Sequence, residues 1–158
     1  MHTLVWVSTE ADSIEEAESK VTGYLLSVSG EGQWWDWFDE EIGGRWKDNA
    51  QTTCASNSDE YEAVIERVKN ARVEEFNRLK EKVHIEDIEL AIMKYDGDSL
   101  SSMDIWRVNS MLEMMSGTWN SNAYYYDMEE WTTELRYVKA RVASNPSQQY
   151  LVPIDFHF

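Results

Sequence analysis

Nine residues at the end of the chain, Tyr150-Leu151-Val152-Pro153-Ile154-Asp155-Phe156-His157-Phe158, alternate with a period of two. Successive side chains of a strand point to opposite faces. Tyr150, Val152, Ile154, Phe156 and Phe158 therefore share one face, and Leu151, Pro153, Asp155 and His157 share the other. This pattern predicts a strand and commits the chain to a sheet. Pro153 has no amide donor, which predicts an edge position or a bulge.

The other elements follow from their own periodicities. Leu4-Val5-Trp6-Val7 reads as a first strand. Asp12 or Ser13 then starts a helix, and Ser13-Ile14-Glu15-Glu16 fits a capping box. Ile14, Ala17, Val21 and Leu25 recur at helical spacing and are expected to face the first strand, with Gly30 and Gly32 ending the unit. A tryptophan-rich extended segment comes next, and if it is a strand, Trp35, Trp37 and Asp39 point one way. Residues 47–58 are polar and small and read as a surface loop. From Asp59 to about Val83 the period changes, and Tyr61, Val64, Ile65, Val68, Phe76, Leu79 and Val83 trace one face of a long helix. Two shorter helical patterns follow, the second ending at Gly117. Ala123 to Tyr126 reads as a strand, and a helix from about Asp127 to Val142 ends at Asn145-Pro146. The order predicts one α+β domain over 1–158. Its expected form is a ferredoxin-like split β-α-β sandwich with a helical insertion at about 57–117.

Charge narrows the partners. Thirty acids against fourteen bases give a net charge of −16, concentrated in residues 1–50 and 83–130. Such a surface repels nucleic-acid phosphates and anionic membranes and favours a basic protein partner. No apolar run approaches the length of a membrane span. The first residues lack a basic leader and a cleavage site, so the expected location is cytoplasmic. Cys54 is the single cysteine, which allows no internal disulfide and no zinc site by itself, and it reads as a loop cysteine. Asp96-Gly97-Asp98 starts like a calcium loop, but the terminal bidentate Glu is missing from the twelve-residue pattern. No metal and no cofactor is expected.

Gln33 to Trp46 holds four of the eight tryptophans together with Asp36, Asp39, Glu40 and Glu41. No ordinary core element needs that mixture. Gly43-Gly44 permits a tight turn or a close backbone approach. Arg45 presents a planar five-donor fork, and Trp37 and Trp46 can flank it. A carboxylate, a phosphate or a nucleotide suits such a site. The plainer reading is that Arg45 pairs with Asp36 or Asp155 and fixes the fold. The candidate binding residues are Trp34, Trp35, Asp36, Trp37, Asp39, Glu40, Gly43, Gly44, Arg45 and Trp46. Asp155 and His157 lie two residues apart on one strand face, so His157 can act as a base oriented by an acid. His2 joins them if the first and last strands are neighbours. A polar strand face is the plainer reading there as well.

Trp35-Asp36-Trp37 followed by Ile42-Gly43-Gly44-Arg45-Trp46, with the ending Pro153-Ile154-Asp155-Phe156-His157, resembles a family of small uncharacterised bacteriophage proteins. Those carry an aromatic-acid-aromatic sequence and an I/V-G-G-R-W sequence. The likeness covers the first fifty residues and the last ten. It implies a viral origin, hence a host-cell cytoplasm, and no established reaction.

Three functions are expected, in order. The first is an acidic accessory protein that binds and modulates, or inhibits, a basic host protein, for instance one of host defence. Acids that imitate phosphate spacing are a variant of it. The second is a small-ligand or nucleotide-binding module centred on Arg45. The third is a hydrolase using His157 and Asp155, which lacks a nucleophile elbow, a P-loop or a strong metal motif.

Overall fold

The computed structural model describes residues 2–29, 35–39, 52–82, 125–130, 135, 142 and 148–157. They form strands β1 (His2–Glu10), β2 (Trp37–Asp39), β3 (Cys54–Ala55), β4 (Tyr125–Asp127) and β5 (Gln149–His157), with helices α1 (Ile14–Val28) and α2 (Asp59–Lys80). The order in the sheet is β2-β5-β1-β4, with β3 also beside β5. The α+β class read from the periodicities is the class of the structure.

The sheet is built around β1 and β5. They run antiparallel over nine register pairs, from His2 opposite His157 to Glu10 opposite Gln149. β4 runs parallel to β1 on its other side, with Trp6 opposite Tyr125. β2 and β3 both pair antiparallel with the outer side of β5, at 155–157 and 150–151.

Period-two alternation then sorts the side chains into two cores. Val5, Val7, Val152, Ile154 and Phe156 point to one face, where they meet Ala17, Val21 and Leu25 of α1. Trp6, Leu151, Cys54 and Tyr125 point to the other, where they meet Tyr61, Val64, Ile65 and Val68 of α2. Each fully buried Val or Leu contributes about 1.5–3 kcal/mol of transfer free energy. With a helix on each face, both faces of the alternating β5 need apolar residues, and all of Gln149–Phe156 is buried.

Pro153 is accommodated differently from the expected edge or bulge. β5 lies inside the sheet, with Pro153 opposite Trp6. The carbonyls of Gln149 and His157 accept from Ser56 and Asp36 on the outer side of β5. Residue 153 lies an even number of positions from both, so its missing donor also faces outward. That spot falls between β3 and β2, and neither pairs with it. Among the described residues no strand pairs with that side of residue 153, so the missing donor breaks no described ladder bond.

Both helix starts carry caps. The Ser13 hydroxyl accepts from Glu16 N at 3.2 Å, and the Glu16 carboxylate reaches back to Asp12 N at 2.9 Å, one residue further than the expected box. Ile14 stays exposed, because only Ala17, Val21 and Leu25 fall on the buried stripe of α1. The expected end at Gly30 and Gly32 lies outside the described residues; α1 itself ends at Val28. In α2 the Ser58 hydroxyl accepts from Tyr61 N at 3.3 Å and donates to Ala55 O at 2.7 Å. One side chain thus caps a helix and ties it to β3. Ser58→Ala is expected to cost about 1 kcal/mol, read as a lower urea midpoint with an unchanged slope. Acids fill the first turn of α2 and Arg78 and Lys80 the last, the arrangement that a helix dipole favours.

Cys54 departs from its expected loop. It belongs to β3 and is buried under α2, and desolvation, followed by the charge of Glu60, pushes its thiol up to about 12. The helix expected over 59–83 is α2, with Phe76 half-buried rather than fully inward. The rest of the expected insertion, from residue 83 to 117, lies outside the described residues, as does most of the helix expected over 127–142.

Candidate functional site

Three rings line up across one end of the sheet because three strands meet there in register. His2 of β1 lies opposite His157 of β5, which lies opposite Trp37 of β2. Register partners share a face, so the rings are neighbours. The His2 and His157 centroids are 4.9 Å apart, edge to face. Trp37 lies flat on His157 at 5.2 Å with an interplanar angle of 9°, and it meets His2 edge-on at 5.2 Å. The next row of the same face holds Leu4, Asp155 and Asp39.

Each imidazole faces a carboxylate. His2 Nδ1 is 3.1 Å from Asp155 Oδ2 and 3.3 Å from Oδ1. His157 Nδ1 is 3.3 Å from Asp36 Oδ2. Asp155 and His157 share this face as their spacing implies, and the imidazole that Asp155 meets at 3.1 Å is that of His2. Asp155 lies diagonally across from His2, within reach of an imidazole. His157 is turned against the indole and toward Asp36. The two acids also differ in setting, since Asp155 is buried whereas the Asp36 side chain is 70 % exposed.

A histidine whose Nδ1 is held by a buried carboxylate keeps Nε2 for a second contact, which is the geometry of an oriented base. Nucleophilic chemistry also needs an attacking group. The thiol of Cys54 sits beside Leu151, away from this end of β5, and is held protonated by burial. Among the described residues, no group of three or more His, Cys, Asp or Glu is arranged to hold a metal ion. The cluster brings two imidazoles, two carboxylates and an indole together at one end of the sheet.

The indoles of the tryptophan-rich segment diverge. Trp37 is 45 % exposed on the histidine face. Trp35 is half-buried and packs on Phe156 at 5.1 Å, on the α1 face, where Phe38 also meets Phe156 at 6.3 Å. The expectation that Trp35 and Trp37 point one way fails because β2 begins only at Trp37, after a bend at Asp36. Asp36 stays joined to the sheet through its own N–H, which donates to His157 O at 2.7 Å.

Beside this edge runs a groove of about 370 Å³ between Thr22 and Leu26 of α1, its C-cap Ser29, and the run Trp35–Phe38. Leu26 is 61 % exposed there. Sequence reasoning passed over this side of α1. The signal was present, since Leu26 is an apolar residue one position off the Ala17, Val21, Leu25 stripe. Of the expected site residues, Trp35, Asp36, Trp37 and Asp39 come together at this edge, and Asp155 and His157 lie against it. Trp34, Glu40, Gly43, Gly44, Arg45 and Trp46 lie outside the described residues.

Among the described residues no helix is long and apolar enough to cross a membrane. Comparison of the chain with protein-family models, with curated proteins and with solved structures gave no match.

Proposed function

We propose that this chain is an acidic accessory protein that binds and modulates a basic protein partner through the β2 edge. The observation that carries the reading is the exposed Trp37 indole, stacked on His157 and flanked by the exposed Asp36 and Asp39. An indole held in place before contact loses little conformational freedom on binding, and such residues dominate interface energies. The net charge of −16 and the rim acids add steering toward a basic surface. The His2–Asp155 pair serves this reading as the support behind the anchor. The Trp35-Asp36-Trp37 motif adds a viral origin, with a host protein as the target in the host-cell cytoplasm.

The same proposal takes the fold as a ferredoxin-like split β-α-β core. The antiparallel β5 and parallel β4 on either side of β1 support it. In this reading β2 is carried on the outer side of β5, and α2 is the start of an insertion that covers the second face.

The test is capture from a lysate of the source cells on immobilised wild-type protein and on Trp37→Ala. A basic protein held by the wild type in low salt, and lost both in high salt and on Trp37→Ala, is the expected result. Identical sets of proteins on the two baits would sink the reading. With the purified partner, Asp36→Asn combined with Asp39→Asn is expected to slow association several-fold at low ionic strength and to leave dissociation nearly unchanged. Stopped-flow rates that do not depend on salt would remove the electrostatic part.

A further inference from the structure

We propose that the groove between α1 and β2 receives a partner segment in which an aliphatic side chain stands next to a lysine or arginine. The inference rests on the partner-binding reading and adds to it the kind of segment recognised. Leu26, Trp35 and Phe38 give the groove apolar walls. Trp35 and Phe38 are backed by Phe156, so those walls are rigid. Leu26 supplies an exposed aliphatic contact on the facing helix. A volume of about 370 Å³ suits side chains rather than a whole helix.

Charge complementarity selects the occupant. Asp36 lines the groove and is exposed. On α1 the stripe that carries Thr22 and Leu26 continues at helical spacing, beyond the groove lining, to Glu18 and Glu15, both exposed. The Glu18 carboxylate accepts from Thr53 Oγ1 at 2.7 Å. Acids thus stand at both ends of an apolar trough. An aliphatic side chain fills the trough, and an adjacent cation meets Asp36 or Glu18. An acidic segment would bring like charges together, and a purely apolar one would gain nothing from Asp36 or Glu18.

The probes are three acetylated and amidated peptides of equal length, with alternating Lys and Leu, alternating Lys and Ser, and alternating Glu and Leu. Amide shifts of the labelled full-length protein give the site and the affinity. The Lys–Leu peptide is expected to shift Thr22, Leu26 and Phe38. The Lys–Ser peptide is expected to bind at least about tenfold more weakly, and the Glu–Leu peptide not at all. Leu26→Glu, an exposed substitution whose folding is checked by circular dichroism, is expected to abolish the Lys–Leu shifts. Equal binding of the Lys–Ser peptide, shifts away from the groove, or an unaffected Leu26→Glu variant would overturn the proposal. A small molecule retained in the groove in native mass spectra would overturn it in favour of a ligand site. If the groove fails while capture still depends on Trp37, the β2 edge alone is the binding surface. If the peptide binds in the groove and capture fails, the partner-binding reading falls by itself.

Discussion

Phe156→Ala is expected to destabilise the protein by about 3–5 kcal/mol, the usual cost of emptying a buried phenylalanine site. Phe156 is 1 % exposed and lies on the α1 face of the central strand β5. The site has little room to collapse, because β5 is pinned on one side by nine register pairs with β1. The loss also reaches the candidate site. Trp35 and Phe38 both rest on this ring, and among the described residues they are the apolar contacts that β2 and the residues just before it make with this core. Three ladder residues cannot hold an edge strand without them. Urea unfolding should therefore show the large shift, and binding through the β2 edge should weaken in the still-folded fraction. A shift below about 1.5 kcal/mol would mean that Phe156 is not the support of β2.

The strand at 150–157 could be read directly because Tyr150, Val152, Ile154 and Phe156 repeat at period two and are all buried on the α1 face, while Asp155 and His157 break the apolar run on the other. The faces of α1 and α2 could be read for the related reason that Ala17, Val21, Leu25 and Tyr61, Val64, Ile65, Val68 repeat at helical spacing. What failed was long-range. Pro153 argued for an unpaired N–H side, and that side does fall where neither β2 nor β3 pairs, but the strand as a whole lies inside the sheet, which only strands distant in sequence decide. Cys54 sits in a run of polar residues, yet pairing opposite Leu151 draws it under α2. The divergence of Trp35 and Trp37 depends on where β2 starts, and a bend of one residue reverses every face that follows. At the site, the chemistry of Asp155 and His157 is visible as residue types, and His2 joins them because the first and last strands are neighbours. Which acid faces which histidine was not visible, because strand neighbours and cross-strand diagonals lie at similar separations.

Trp37→Ala should separate binding from folding in the opposite way to Phe156→Ala. The indole is 45 % exposed, and its described ring contacts are His157 and His2. Losing those ring contacts costs roughly 0.5–1.5 kcal/mol of stability, well below the cost of Phe156→Ala. For a partner that buries the indole, the loss of affinity is about 2 kcal/mol or more, or roughly 30-fold in Kd. Most of it should appear as faster dissociation, because the charges that steer encounter are untouched. His157→Ala then distinguishes an anchor from its support. It leaves the indole in place and removes the surface on which it lies, so the indole samples more orientations before contact. The expected result is a smaller loss of affinity than for Trp37→Ala, and a double variant no weaker than Trp37→Ala alone. Additive losses in that cycle would mean that His157 touches the partner itself, and that the edge binds through two independent groups rather than one held indole.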